Sequence, residues 1–293
     1  MIVVGLAIMI VSEAATLARI EPFYSWNTPI CWTGFILFAD AVVWRARGDS
    51  WLHSNPREFV ALAMLSIPLW IVFEGFNLVI HNWFYTGLPD AFALRLFGYS
   101  WAFATIWPAI FEGAELMAVI RRAGRSGKAG GSGRTGRSTL PAPPALPGLL
   151  IAAGALMLLC PFVLPESVAP YLAAPIWLGF IFVLDPINAR LGAESLLGDW
   201  RLGRADRAVN LLASGLLCGF LWEFWNYWAG AKWHYTVPIM PNVKLFEMPL
   251  PGFLGFPPFA LECFAMYVFI RQVFVRLQPG AAPAPHLGRT IGL

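Results

Sequence analysis

The sequence predicts an all-α integral membrane protein whose eight transmembrane helices form two parallel four-helix repeats. Three observations predict it: the balance of apolar to charged residues, the number and length of the apolar runs, and a match of the chain with itself. Of the 293 residues, 58% are hydrophobic and 13% charged, more apolar surface than a soluble globule of this size buries. Runs long enough to cross a hydrocarbon core of about 30 Å lie near 2–18, 29–46, 59–80, 100–120, 148–164, 171–189, 208–228 and 251–270.

The loops test that count. With the amino terminus inside, the inner segments hold Arg45, Arg47 and Arg57, then the basic stretch from Arg121 to Arg137, then Arg190, Arg201, Arg204 and Arg207, and finally Arg271, Arg276 and Arg289. Of the 20 Lys and Arg, only Arg19, Arg95, Lys232 and Lys244 fall outside. An even number of crossings in a bacterial inner membrane, with both termini cytoplasmic, satisfies the positive-inside rule. The first run lacks the basic flank of a signal peptide, and its counterpart at 148–164 lies mid-chain, so it reads as a retained span.

Self-comparison supplies the repeat. "CWTGFILFAD" at 31–40 matches "IWLGFIFVLD" at 176–185, pairing Asp40 with Asp185. "GDSW" at 48–51 meets "GDW" at 198–200. "FEGFN" at 73–77 meets "WEFWN" at 222–226, setting Glu74 on Glu223 and Asn77 on Asn226. "WFYT" at 83–86 then meets "WHYT" at 233–236, and "PAIFE" at 108–112 meets "PFALE" at 258–262, pairing Glu112 with Glu262. Because four spans is an even number, the two halves enter the membrane in the same direction. The first repeat covers 1–120 and the second 148–270. Between them 121–147, basic and rich in Gly, Ser and Pro, reads as a flexible cytoplasmic linker, and 271–293 as a cytoplasmic tail. The connections 81–99 and 229–250 are rich in Trp, Tyr, Pro and Gly and read as a short hairpin or lid over the outer mouth, with an interfacial aromatic belt as the alternative.

The duplicated carboxylates carry the functional expectation. Glu74, Glu223, Glu112, Glu262, Asp40 and Asp185 all fall inside apolar runs, where an ionised side chain costs on the order of 2.5–3.5 kcal/mol by insertion scales. They must therefore face the bundle interior, paired or protonated, and the expectation is one shared polar pocket. Glu74, Asn77 and His81 are spaced to line one helix face, as Glu223 and Asn226 do. A proline four residues before Glu112 and before Glu262 predicts a bent helix at each. The alternative is that these acids only hydrogen-bond to Asn, Trp and Tyr and specify helix packing.

Other chemistries are less supported. The cysteines Cys31, Cys160, Cys218 and Cys263 lie in or beside apolar runs without a CxxC spacing and read as packing residues. His81 aligns with Gly230 and His234 with Phe84, so no histidine is duplicated, and no HExxH occurs. The expectation is no metal, with a single asymmetric ion on carboxylates and His81 as the alternative. Nucleotide and haem motifs are absent from the sequence, so no cofactor is expected. The net charge of +3 comes from the inner loops and implies attraction to anionic lipid rather than nucleic acid.

A protonated carboxyl in an aromatic-walled cavity can donate a proton to an alkene or epoxide, and indole and phenyl faces can hold the resulting cation. With "WFYT" and "WHYT" after one acid-bearing span, and "PAIFE" and "PFALE" opening the next, the sequence resembles the integral-membrane carotenoid and terpenoid cyclases of the lycopene cyclase type. That family has a paired glutamate where this chain has the single acids Glu112 and Glu262. The resemblance implies an acid-catalysed, redox-neutral reaction on an isoprenoid. Under it Glu223 or Glu74 is the proton donor, Glu262 and Glu112 donor or base, and Asp40 and Asp185 orienting partners. Asn77, Asn226, Trp83, Tyr85, Trp222, Trp225, Trp233, Tyr235, His81 and His234 are the candidate contacts to a lipophilic small molecule. The competing expectations are a proton-coupled carrier using the same acids and a lipid-binding scaffold without turnover. The sequence leaves the oligomeric state open.

Overall fold

The computed structural model describes residues 1–126 and 143–277; most of the basic linker and of the carboxy-terminal tail lies outside the described residues. The protein is an all-α membrane protein with small β additions. Among the described residues, six helices are long and apolar enough to cross a bilayer: α2 (Phe23–Arg47), α4 (Pro56–Ile80), α5 (Phe92–Ser126), α6 (Leu146–Val163), α9 (Asp206–Trp228) and α10 (Phe256–Leu277). Two of the eight expected spans fall short of that measure. The first, α1 (Ile2–Leu17), has 16 residues, about 24 Å of helix. The second, α7 (Ala173–Arg190), carries Asp185, Asn188 and Arg190 in its last turns.

The repeat is visible in how the helices pack. In each half an outer helix lies along a second one through a glycine contact. A Cβ on Gly5 of α1 would meet Gly34 O of α2 at 2.5 Å, and one on Gly154 of α6 would meet Gly179 O of α7 at 2.7 Å. Lipid tails give helices no hydrophobic reason to associate, so such close backbone approach is what joins them. The far faces of α1 and α6, including Val3, Ile10, Leu149, Leu156 and Phe162, are exposed, as suits a perimeter facing lipid chains.

At the arginine-rich end two short helices, α3 (Trp51–Ser54) and α8 (Leu196–Arg201), are held by the first duplicated acid pair. Asp40 Oδ1 accepts from Leu52 N at 2.8 Å and Oδ2 lies 2.6 Å from His53 Nδ1. Asp185 accepts from Leu196 N at 2.7 Å and Leu197 N at 2.8 Å. These carboxylates supply acceptors to amides that have no partner within so short a helix. Asp199 of α8 pairs with Arg207 at 2.8 Å; burial pushes its carboxyl up, against the pull of that guanidinium.

The halves meet asymmetrically. Helix α5 crosses α9 closely because Gly113 sits against Ser214 and Cys218, and Ser214 Oγ donates to Ile110 O at 2.6 Å. The matching positions on α10 and α4 are the larger Cys263 and Leu65, and those helices are joined instead near the basic end, where Arg271 and the Tyr267 hydroxyl reach Glu58 at 3.3 and 3.1 Å. The expected proline bends take different forms. Pro108 lies inside the 35-residue α5, whereas Pro258 lies in the first turn of α10, where a missing N–H interrupts nothing.

At the opposite end, β1 (Trp83–Thr86) and β2 (Lys232–Tyr235) pair with each other, antiparallel, across the two halves. The expected hairpin is found in the second connection, within 244–249, whereas the roof itself is one strand from each repeat. Its register is Trp83 to Tyr235, Phe84 to His234 and Tyr85 to Trp233, so Phe84 faces its own repeat counterpart. A local two-fold axis therefore passes between Phe84 and His234. A second connection, β3 (Lys244–Leu245) to β4 (Met248–Pro249), flanks the roof on one side.

The glycine contact gives a direct test. Gly154→Leu is expected to destabilise the protein by about 1–3 kcal/mol through overpacking against backbone. Gly148→Leu in the same helix, where a Cβ meets nothing within 4 Å, is expected to be neutral; thermal melting of both variants in detergent is the check.

Candidate functional site

Beneath the sheet, between the two halves, lies a cavity of about 470 Å³. Strand alternation turns Trp83, Tyr85, Trp233 and Tyr235 toward it, while Phe84 is 49% exposed and His234 points to Glu247 at 3.0 Å. Indoles from four helices build the walls. Trp32 of α2 packs edge-on to Trp222 of α9 with centroids 6.1 Å apart, and Phe73 of α4 stacks on Trp177 of α7 at 5.0 Å. By the repeat alignment these are the same contact made twice. Trp70 bridges them, 5.3 Å from Trp222 and 5.9 Å from Phe259 of α10. One face of α5, including Tyr99, Phe103 and Ile106, completes the wall.

The acid near the end of α4 and of α9, Glu74 and Glu223, stands behind this wall. Glu74 Oε1 accepts from Tyr85 OH at 2.5 Å, Trp70 Nε1 at 2.8 Å and Trp83 Nε1 at 3.2 Å. Glu223 Oε1 accepts from Tyr235 OH at 2.7 Å, and Trp233 Nε1 donates to that phenol oxygen at 2.9 Å. Glu223 is fully buried and its Oε2 has no partner among the described residues. Each carboxyl thus touches the cavity through a tyrosine. Burial, then the charge of its own glutamate, pushes both phenols, Tyr85 and Tyr235, up.

Asn77 and Asn226, one helical turn beyond the acids, do different work from the substrate contact expected of them. Asn226 Oδ1 accepts from Trp233 N at 2.9 Å and its Nδ2 donates to Trp233 O at 2.8 Å. Asn77 Oδ1 accepts from Asn82 N at 2.9 Å and Trp83 N at 3.1 Å, and Nδ2 donates to Trp83 O at 2.8 Å. Each carboxamide imitates a peptide group and fixes a strand to a helix end. The Glu–x–x–Asn spacing therefore aims one residue at the strand's side chains and the other at its backbone.

The remaining candidates separate from this site. Trp222 borders the cavity, but Trp225 lies behind it, buried 4.8 Å from Trp32. His81 ends α4 at φ 50 and is exposed, its carbonyl accepting from Thr236. His234 lies on the outer face of the sheet, stacked on Phe84 and bonded to Thr86 Oγ1 at 3.0 Å. There Lys232 and His234 hold Glu247 below the usual carboxylate range even though burial alone works the other way.

The expectation of one shared pocket for all six acids is also corrected. None of the six acids lines the cavity: Glu74 and Glu223 reach it only through Tyr85 and Tyr235, and Glu112, Glu262, Asp40 and Asp185 lie elsewhere. They form a second tier toward the basic end. Glu112 is fully buried with neither oxygen partnered among the described residues, in a region shared with Asp40 and Glu115. Glu115 pairs with Arg47. Glu262 accepts from Phe180 N at 3.3 Å. Among the described residues no three His, Cys, Asp or Glu side chains come together as metal ligands would.

Sequence reasoning missed Trp26, Thr28, Asn82, Arg95 and Trp177 in the lining. The available signal is the spacing of Arg95, Tyr99, Ala102 and Ile106 along one helical face, hidden because the apolar run begins near 100 whereas α5 begins at Phe92. No protein-family description, no curated protein and no solved structure matches this chain.

The carboxamide brackets are testable by hydrogen exchange. Asn226→Ala leaves the Trp233 amide and carbonyl without partners, a loss of about 1–3 kcal/mol. The expected outcome is exchange at residues 232–236 faster by tenfold or more, roughly the factor that energy implies, with α9 itself unchanged.

Proposed function

We propose that this protein is a membrane-embedded enzyme carrying out an acid-catalysed, redox-neutral conversion of an isoprenoid-like lipid: cyclisation, isomerisation or hydration. The observation that carries the reading is the pair of glutamate–tyrosine contacts set into the indole wall of a cavity large enough for part of a long apolar chain. A cavity of several hundred Å³ with apolar walls and few polar groups is the usual form of a small-molecule site.

The chemistry follows from the geometry. With Glu223 protonated, the Glu223–Tyr235 hydrogen bond reverses, so that the acid passes its proton to the Tyr235 oxygen as the phenol's own proton moves to an alkene carbon of the ligand. The carboxylate left behind balances the carbocation formed, and the faces of Trp70, Trp222 and Trp233 stabilise that cation. Loss of a proton from a neighbouring carbon back to the phenol restores Glu223 and gives an isomer; capture of water, with its released proton returned through the phenol to Glu223, gives the hydrated product. Glu74 and Tyr85 are the equivalent pair in the first half. Trp83 and Trp233 orient these acids by hydrogen bonds, and the sheet excludes water.

The same reading includes the finer topology: eight crossings, two parallel halves about an axis along the membrane normal, and both termini cytoplasmic. The sheet register about Phe84 and His234 supports such an axis. Alkaline phosphatase joined after Pro89 is then expected to be active and after Arg122 inactive; the reverse pattern would overturn the orientation.

A proton-coupled carrier is the second reading, favoured by the unpartnered Glu112 and the tier of acids below the cavity. Expression in a host that accumulates linear isoprenoids, with mass analysis of the lipid extract, separates the two. For an enzyme, a product of equal mass or of added water appears, and Glu223→Gln lowers its yield by about a hundredfold or more at unchanged membrane abundance. Parental conversion by both Glu223→Gln and Glu74→Gln would sink the acid mechanism. Substrate-dependent proton movement in proteoliposomes, without a new product, would favour the carrier.

A further inference from the structure

The cavity has a chemical bias that the glutamate–tyrosine pairs do not use. Two cations, Arg95 and Lys232, border it, and no Asp or Glu does among the described residues. Lys232 is already matched, its Nζ 3.1 Å from Glu247 Oε1 and 3.2 Å from Tyr227 O. Arg95 has no acidic side chain within ion-pair distance among the described residues.

Arg95 belongs to the cavity face of α5. Arg95, Gly98, Tyr99, Ala102, Phe103 and Ile106 recur at the three-and-four spacing of one helical stripe and all border the cavity. One turn inward, Gly98 receives the Trp26 indole: a Cβ there would stand 3.4 Å from Trp26 Nε1. That N–H is buried and without an acceptor, and so is the Thr28 hydroxyl two residues on; Thr28 is only 7% exposed. A buried donor with no acceptor is costly. A guanidinium with no counter-ion, an indole N–H and a hydroxyl, all bordering one cavity, are together satisfied by an anion with several acceptor oxygens.

We infer that the molecule held in this cavity is an amphiphile with an acidic head, a carboxylate or a phosphate monoester, seated on Arg95, Trp26 and Thr28, with its chain along the indole wall toward Trp70, Trp177 and Phe259. The inference rests on the lipid-binding reading of the same cavity given above. Asn82 Oδ1, a buried acceptor in the lining that is likewise unpartnered, takes a hydroxyl on the chain or a water. The head group lies at the sheet end of α5, so the reacting part of the chain is presented to Tyr85 and Tyr235 while the head stays fixed.

The test uses full-length protein in nanodiscs and three probes that share one 20-carbon chain: geranylgeraniol, geranylgeranoic acid and geranylgeranyl monophosphate. Binding of radiolabelled alcohol is measured directly, and the two anions are read by displacement. The expected result is that at least one anion binds about 10- to 100-fold more tightly than the alcohol, the range of a charge-assisted hydrogen-bond set. Arg95→Gln should remove that advantage and leave the alcohol's affinity as it was; Trp26→Phe, which deletes only the N–H donor and keeps a ring, should remove part of it. Preference for one anion over the other identifies the head. Equal binding of all three probes, or equal weakening of all three by Arg95→Gln, would overturn the acidic head while leaving the lipid cavity standing. Failure of every probe to bind would overturn both.

Discussion

A polar group inside hydrocarbon has to find its partner within the protein, because neither water nor lipid will supply one. Glu74 and Glu223 meet that demand by accepting from tyrosine and tryptophan on strands outside their own helices. Asn77 and Asn226 meet it by closing on the strand backbones. The strands are thereby drawn down over the helix ends, their aromatic side chains are turned inward, and the space under them becomes a walled cavity. Indole contacts of Trp70 with Trp83 and of Trp222 with Trp233, and the Thr236 amide on Asn82 O, hold the strands beside these four residues.

Duplication gives the molecule its plan and divergence gives it a site. Trp32 against Trp222 and Trp177 against Phe73 are one contact made twice, as are the two glycine crossings at the perimeter. Against that background the differences are informative. Gly113 lets α5 approach α9, whereas the matching positions on α10 and α4 are Cys263 and Leu65. Arg95 has no basic counterpart at the matching position of the second half, where Leu245 stands, and Phe84 faces a histidine. A cavity on a pseudo-symmetry axis whose two halves contribute different residues presents different chemistry on its two sides.

Much of this was legible in the sequence. Buried carboxylates, their repeat partners and the helix faces they share with asparagine all follow from apolar runs and spacing. What was not legible depended on tertiary pairing. WFYT and KWHY are too short to announce themselves as strands, and they pair only because the two halves bring them together. Asn77 reads equally well as a ligand contact and as a peptide mimic until the strand is in place. The two tiers of acids share one sequence signature, an acid in an apolar run; only the positions of α3 and α8 show that Asp40 and Asp185 are spent on helix amides. Arg95 is hidden in the sequence because a charge and a glycine interrupt the hydropathy there, although α5 continues through both.

The register of the roof has an architectural implication. Residue 84 lies opposite residue 234, and the pairs on either side exchange roles when the halves are swapped, which is the arrangement an isologous contact between identical subunits would produce. A chain of half this length, carrying a single copy of the motif, can close the same ceiling by associating with its twin. Tethering two copies in one polypeptide frees each to change independently, and the replacement of a phenyl by an imidazole at the centre of the ceiling is a change that a homodimer could only have made on both sides at once.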